Sequence, residues 1–163
     1  MWDASALVKR YFFEVGSDTV NELFRLIPAS QMMVTVPGYA ETIFALVRKS
    51  NRGEISRTAL SSAVSNLNRE TILEAQFGIL NVDSDDVFDS IRLIRTQSIN
   101  ASDAAILIAY LRYCKGNPAG STPLFVCSDH RLLRTAVSEG LSVLDPESAI
   151  PTDVQGILNS LAP

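Results

Sequence analysis

The stretch 124-LFVCSDHRLLRTAVSEGLSVL-144 decides the fold. LFVC is a short apolar run of the kind that makes a buried strand. Ser128 and Asp129 are helix-start residues, and the segment after them is helical until Gly140 ends it. LSVL, 141–144, then reads as a second strand. Strand, acid-capped helix and strand in direct succession are the repeating unit of an α/β domain with a mainly parallel sheet.

Working outward, the same alternation recurs. "MWD" reads as the end of a first strand, and "SALVKRYF" as a short helix whose turn Gly16 closes. "SDTVNELFRLI" starts at Ser17 or Asp18 and has Val20, Leu23, Phe24 and Ile27 at helical spacing. "MMVTV" is a strand. Pro37 opens the helix "PGYAETIFALVRKSNRG", with Gly53 beyond its end. Residues 55–76 read as helical and "GILNV" as a strand. "SDDVFDSIRLIRTQ" is an acid-capped helix with an apolar face through Val87, Ile91 and Ile94. "NASDAAILIAYLRYCKG" is apolar nearly all round, which predicts a buried helix. "KGNPAGSTP" is turn-rich, and "PTDVQGILNSL" is a last helix, more weakly attached.

The chain has 163 residues, 47% apolar and 20% charged, as expected of one soluble globular domain spanning residues 1–163. No apolar run approaches the ~20 residues of a membrane span, and no signal-peptide pattern is present. Cys114 and Cys127 make no disulfide framework and read as reduced packing residues, so the expected setting is the cytoplasm. The formal net charge of −4 disfavours a protein that coats nucleic acid by general attraction. It leaves open contact with phosphate through bound metal ions.

Four acids fall where strands give way to helices. Asp3 follows the first strand, Asp129 follows LFVC, Glu41 lies in the first turn of its helix, and Asp103 starts another. In an open α/β sheet, ligands bind at the carboxyl ends of the strands. Each aspartate also has a plain reading as a helix cap. Glu41, beside Ala40 and Ile43, is harder to explain as a dipole partner. Two like charges ~4 Å apart repel by about 4 kcal/mol at an effective dielectric of ~20. Four converging carboxylates must therefore bind protons, spread apart or hold a hard divalent cation, and an open acidic metal site suits phosphodiester hydrolysis.

"DASALVKRYF", "YAETIFALVRK", "INASDAAILIAYL" and "CSDHRLLRTAVSEGLSVLDPE" resemble, in order and spacing, the PIN-domain family, and most of all its VapC-type ribonuclease toxins. The resemblance runs from Asp3 to about Glu147. It implies an α/β, PIN-like three-layer fold, with a central, mainly parallel sheet flanked by helices and a pocket for Mg2+ or Mn2+. It also implies endoribonuclease activity on RNA, a cognate antitoxin partner, and a homodimer. The family's catalytic and metal-binding acids fall on Asp3, Glu41, Asp103 and Asp129. Ser5 stands at the hydroxyl position beside the first of them. Asn100 and Ser128 occupy supporting positions that orient carboxylates or water. Family members carry several more strand residues before the first aspartate than the two found here.

Lys9, Arg10, Arg48, Lys49, Arg52, Arg131 and Arg134 all lie near a motif acid in sequence. Most read as solvated helix faces, with Arg48 and Arg131 as candidate phosphate contacts. Asp83, Asp85 and Asp86 read as capping and dipole partners, and His130 as an ordinary exposed residue. Without a second histidine, two-histidine acid/base cleavage of RNA is not available. Met32, Met33, Tyr11, Phe12 and Phe13 read as core or interface. An apolar surface on the first helix would serve a dimer or take an antitoxin helix in a groove. Two rival functions remain open: a catalytically silent PIN-like scaffold for RNA or protein, and a phosphoacceptor or aspartyl phosphatase domain. The second wants further acids or a lysine that the motifs lack; Ser5 stands where a phosphatase of that kind has its second aspartate.

Overall fold

The shortest segment makes the central pairing. Trp2 N donates to Met33 O and Asp3 N to Val126 O, and Val126 N donates to Met1 O, each at 2.9 Å. Trp2 so bridges Val34 on one side and Val126 on the other, both in parallel. The computed structural model describes residues 1–74, 77–116 and 123–161. In it β1 (Met33–Thr35) pairs in parallel with β2 (Gly78–Leu80), and β3 (Leu124–Val126) with β4 (Ser142–Leu144). The bridges at Trp2 join the two pairs, so the lateral order is β2, β1, Trp2, β3, β4. The expected first strand is thus a bridging residue with its neighbours, while the other four expected strands form where their apolar runs lie.

The rest of the described chain is mostly helical. α1 (Ala4–Leu7) continues as a 3₁₀ turn over Val8–Arg10 and is followed by α2 (Ser17–Leu26). Next come α3 (Val36–Asn51) and α4 (Arg57–Asn68), which runs into a π-helical turn over Arg69–Leu73. α5 (Ser84–Gln97), α6 (Ala101–Gly116), α7 (His130–Ser138) and α8 (Val154–Leu161) complete the set. The end of the helix expected to reach residue 76, and most of the turn-rich piece after Lys115, lie outside the described residues.

Adjacent strand residues enter different apolar clusters, as the two-residue period of a strand requires. Met1, Met33, Phe125 and Val143 pack with Leu93, Ile106, Tyr110 and Leu132 of α5, α6 and α7. Trp2, Val34, Val126 and Leu144 pack with Leu7, Val20, Leu23, Leu67 and Val154 of α1, α2, α4 and α8. Each such fully buried large side chain contributes roughly 1.5–3 kcal/mol. α6 is buried continuously from Ala104 to Leu111, in keeping with its unbroken apolar character. Among the described residues, no helix is long and apolar enough to cross a membrane.

Three local expectations are corrected. α2 starts at Ser17, but neither Ser17 nor Asp18 caps it: Gly16 holds the N-cap, with φ at +89°. A Cβ there would meet the Pro146 backbone at 2.9 Å, so only glycine makes this turn. The Ser17 hydroxyl instead donates to Lys9 O at 2.8 Å. Second, α5 buries only part of its apolar face: Ile94 packs against the core beside Leu93. Val87 and Ile91 are 50% and 49% exposed, whereas Asp86, Ser90 and Leu93 are buried. Asp86 can turn inward because it closes a capping box with Asp83 and accepts two 2.8 Å bonds from Arg112 of α6. Third, α3 begins at Val36 with Thr35 as its cap, so Glu41 lies in its second turn, beyond the reach of the free N-terminal amides.

Candidate active site

Asp3 ends the Trp2 segment and caps α1. Its Oδ2 accepts from Ser5 N at 2.9 Å and from Ser5 Oγ at 2.5 Å. Ser5 Oγ also accepts from Ser128 N at 2.9 Å, tying Asp3 to the loop between β3 and α7. Burial raises the Asp3 carboxyl above its usual range, and the nearby Asp129 charge adds to this. The Ser5 hydrogen bonds oppose the rise without cancelling it.

Asp129 follows β3 and caps α7, with Oδ1 accepting from Arg131 N at 2.8 Å and Leu132 N at 3.0 Å. Both cap readings are therefore correct, and neither uses the whole carboxylate, which has about four lone-pair sites. Between these acids, the Ser128 hydroxyl is buried and has no hydrogen-bond partner among the described residues.

Asp103 is the third residue of α6. Asn100 grips it twice: Asn100 Nδ2 donates to Asp103 Oδ2 at 2.7 Å, and Asn100 Oδ1 accepts from Asp103 N at 2.8 Å. Burial first, and then the charges of Asp3, Glu41 and Asp129, push Asp103 up to about 7. Its aspartamide neighbour Asn100 pulls the other way. Asp103 thus feels the charges of acids from three other segments, and Asp3 feels that of Asp129. Glu41 is half-buried and accepts a short hydrogen bond from Ser102 Oγ of α6. Ser102 had not been singled out in the sequence; the only signal was a hydroxyl in the first turn of a helix that also carries Asp103.

Four of the seven cations near the motif acids in sequence are engaged elsewhere. Lys9 is buried between Glu14 at 3.0 Å and Glu147 at 2.6 Å, and Lys49 holds Glu14 at 2.5 Å. Arg10 binds Glu70 and Asn21, and Arg52 lies 3.8 Å from Glu54. Lys9, Arg10 and Lys49 are therefore internal partners rather than phosphate contacts. Arg48, Arg131 and Arg134 are exposed, with the Arg48 guanidinium 5.8 Å from the Phe44 ring centroid. Among the described residues, no salt bridge reaches Asp3, Glu41, Asp103 or Asp129. Cys114 and Cys127 are both free, and burial pushes both thiols up, which leaves them poor nucleophiles.

Among the described residues, no three His, Cys, Asp or Glu side chains are gathered as a ready-made metal cage. A hydrated ion of the magnesium type asks for less than such a cage, since it takes one or two carboxylates and keeps several waters. Acids without basic partners among the described residues are what such a hydrated ion would satisfy, and the partnerless Ser128 hydroxyl precedes Asp129 directly in the chain. Comparison of the chain with protein-family models and with curated proteins gives no match.

Proposed function

We propose that this chain is a metal-dependent endoribonuclease with a PIN-like three-layer fold, acting as the toxin of a toxin–antitoxin pair. One observation carries the reading: Asp103, held at about 7 by burial and by the charges of Asp3, Glu41 and Asp129. Like charges brought together without basic partners raise the energy of the empty site, and a divalent cation relieves it. The division of strand residues between two apolar clusters supports a central sheet covered by helices on both faces. The four sequence motifs support the family, and with it RNA as substrate, a cognate antitoxin and a homodimer.

Asp3, Glu41, Asp103 and Asp129 would hold the ion, one or two of them directly and the others through its waters. Bound Mg2+ or Mn2+ supplies a Lewis acid that lowers the pKa of water and stabilises the leaving oxygen. Ser5 holds Asp3 in place, and Asn100 does the same for Asp103. Exposed Arg131 and Arg48 would engage flanking phosphates. Water oxygen adds to phosphorus as the bond to the 3′ oxygen breaks, leaving a 5′-phosphate and a 3′-hydroxyl.

The test is cleavage of a mixed RNA pool by purified protein with Mn2+, with EDTA, and with Asp103→Asn. Nicking that needs metal and is lost in the variant supports the reading. If neither cleavage nor manganese binding is seen, the silent scaffold takes its place.

A further inference from the structure

We propose that Ser102 is the positioning residue for Glu41, making the first turn of α6 a clamp for two carboxylates rather than one; this rests on the metal-site reading above. Asn100 grips Asp103 within the turn. From the same turn, Ser102 Oγ reaches across to Glu41 Oε1 on α3, 61 positions away in sequence. Among the described residues, no other hydrogen bond joins α3 to α6.

The chemistry of the donor is the point. Glu14, Glu70 and Glu147, which tie the fold together, pair with lysine or arginine. Glu41 takes a neutral hydroxyl instead, which fixes its position and leaves its charge uncompensated. One bond at Oε1 leaves Oε2 and a second lone pair on Oε1 for a cation. A free glutamate turns about three side-chain bonds, so ordering it on binding would weaken the site. Ser102 has already restricted it. Glu41 lies near enough for its charge to act on Asp103, and both carboxylates take a hydrogen bond at the start of α6.

The experiment titrates the full chain with manganese chloride by calorimetry, comparing wild type, Ser102→Ala, Ser102→Thr, Glu41→Gln and Ser102→Ala/Glu41→Gln, with metal-free melting curves for each. Loss of a supporting hydrogen bond typically costs ~10–100-fold in metal affinity. Ser102→Ala should therefore bind at least roughly 10-fold more weakly, and Ser102→Thr, which keeps the hydroxyl, should recover most of the loss. In the Glu41→Gln background, Ser102→Ala should cause no additional loss, because it acts through that carboxylate. Wild-type affinity in Ser102→Ala overturns the proposal, as does an equal loss with and without Glu41. If Ser102→Ala fails to fold, a Ser102→Thr chain that binds no better than Glu41→Gln overturns it as well. Absence of manganese binding by the wild type overturns the metal-site reading itself, a result distinct from any of the variant outcomes.

Discussion

Ser5 connects Asp3 to Ser128: its hydroxyl donates to Asp3 Oδ2 at 2.5 Å and accepts the Ser128 amide at 2.9 Å. One small side chain so completes the cap of α1 and fixes the loop that delivers Asp129. Ser5→Ala removes both bonds and leaves the Ser128 amide without its acceptor. Losing a buried partner costs about 1–3 kcal/mol. Chemical denaturation should show a loss of that size, and Ser5→Thr should restore most of it. An unchanged midpoint in Ser5→Ala would mean the loop is held by other contacts.

Lys9 is 4% exposed and serves both Glu14 and Glu147, the latter 138 positions away. Burial opposes its charge, but the two carboxylates outweigh burial and hold the ammonium above its ordinary range. Breaking a fully buried ion pair costs about 3–5 kcal/mol. Glu147 is 40% exposed and Glu14 keeps Lys49, so the cost of Lys9→Ala should be nearer 2 kcal/mol. Urea unfolding of Lys9→Ala and of Glu147→Gln should both show destabilisation, with the lysine variant the worse. Equal stability of Lys9→Ala and wild type would remove this network from the account of the fold.

How far the sequence could be read depended on whether a residue's setting is local. The strands LFVC and LSVL, the burial of α6 and the cap at Asp129 all rest on neighbours within a few positions, and these were legible. Lys9 was not, because its partner Glu147 lies 138 positions away. α5 misled for the same reason. Its apolar pattern pointed to Val87, Ile91 and Ile94; of these only Ile94 packs inward, while Arg112 on α6 lets Asp86 be buried. At the site, Ser5 and Asn100 lie within three positions of the acids they hydrogen-bond, and the family resemblance had pointed to both. Ser102 supports an acid on another helix and was missed.

Asp103 makes stability depend on pH in an unusual direction for a carboxylate. Its folded-state pKa is about 7 against an unfolded value near 4, so between them the folded chain keeps a proton that the unfolded chain has lost. This contribution is complete at low pH and disappears as pH rises through 7. Asp3, shifted in the same direction, adds to the trend. In EDTA, the wild-type melting temperature should therefore fall between pH 5 and 8 more steeply than that of Asp103→Asn. At pH 8 the variant should melt about 2–4 °C higher, equivalent to ~1 kcal/mol in a chain of this size. Parallel pH profiles for the two proteins would show that Asp103 titrates as an ordinary surface acid.

Metal should reverse that penalty, since a cation favours the ionised form of every acid around it. A ligand present at 100 times its Kd stabilises the folded state by about 2.7 kcal/mol. Manganese at that excess should raise the melting temperature by roughly 5–10 °C, and EDTA should return it to the starting value. At pH 6, where Asp103 is mainly protonated, binding should release a proton. Calorimetry in two buffers of different ionisation enthalpy would detect it as a buffer-dependent heat. Asp103→Asn should lose both the thermal shift and the proton release, because it can neither ionise nor hold the ion as a carboxylate does. A thermal shift of equal size in wild type and Asp103→Asn would place the bound ion elsewhere on the surface and separate the four acids from metal chemistry.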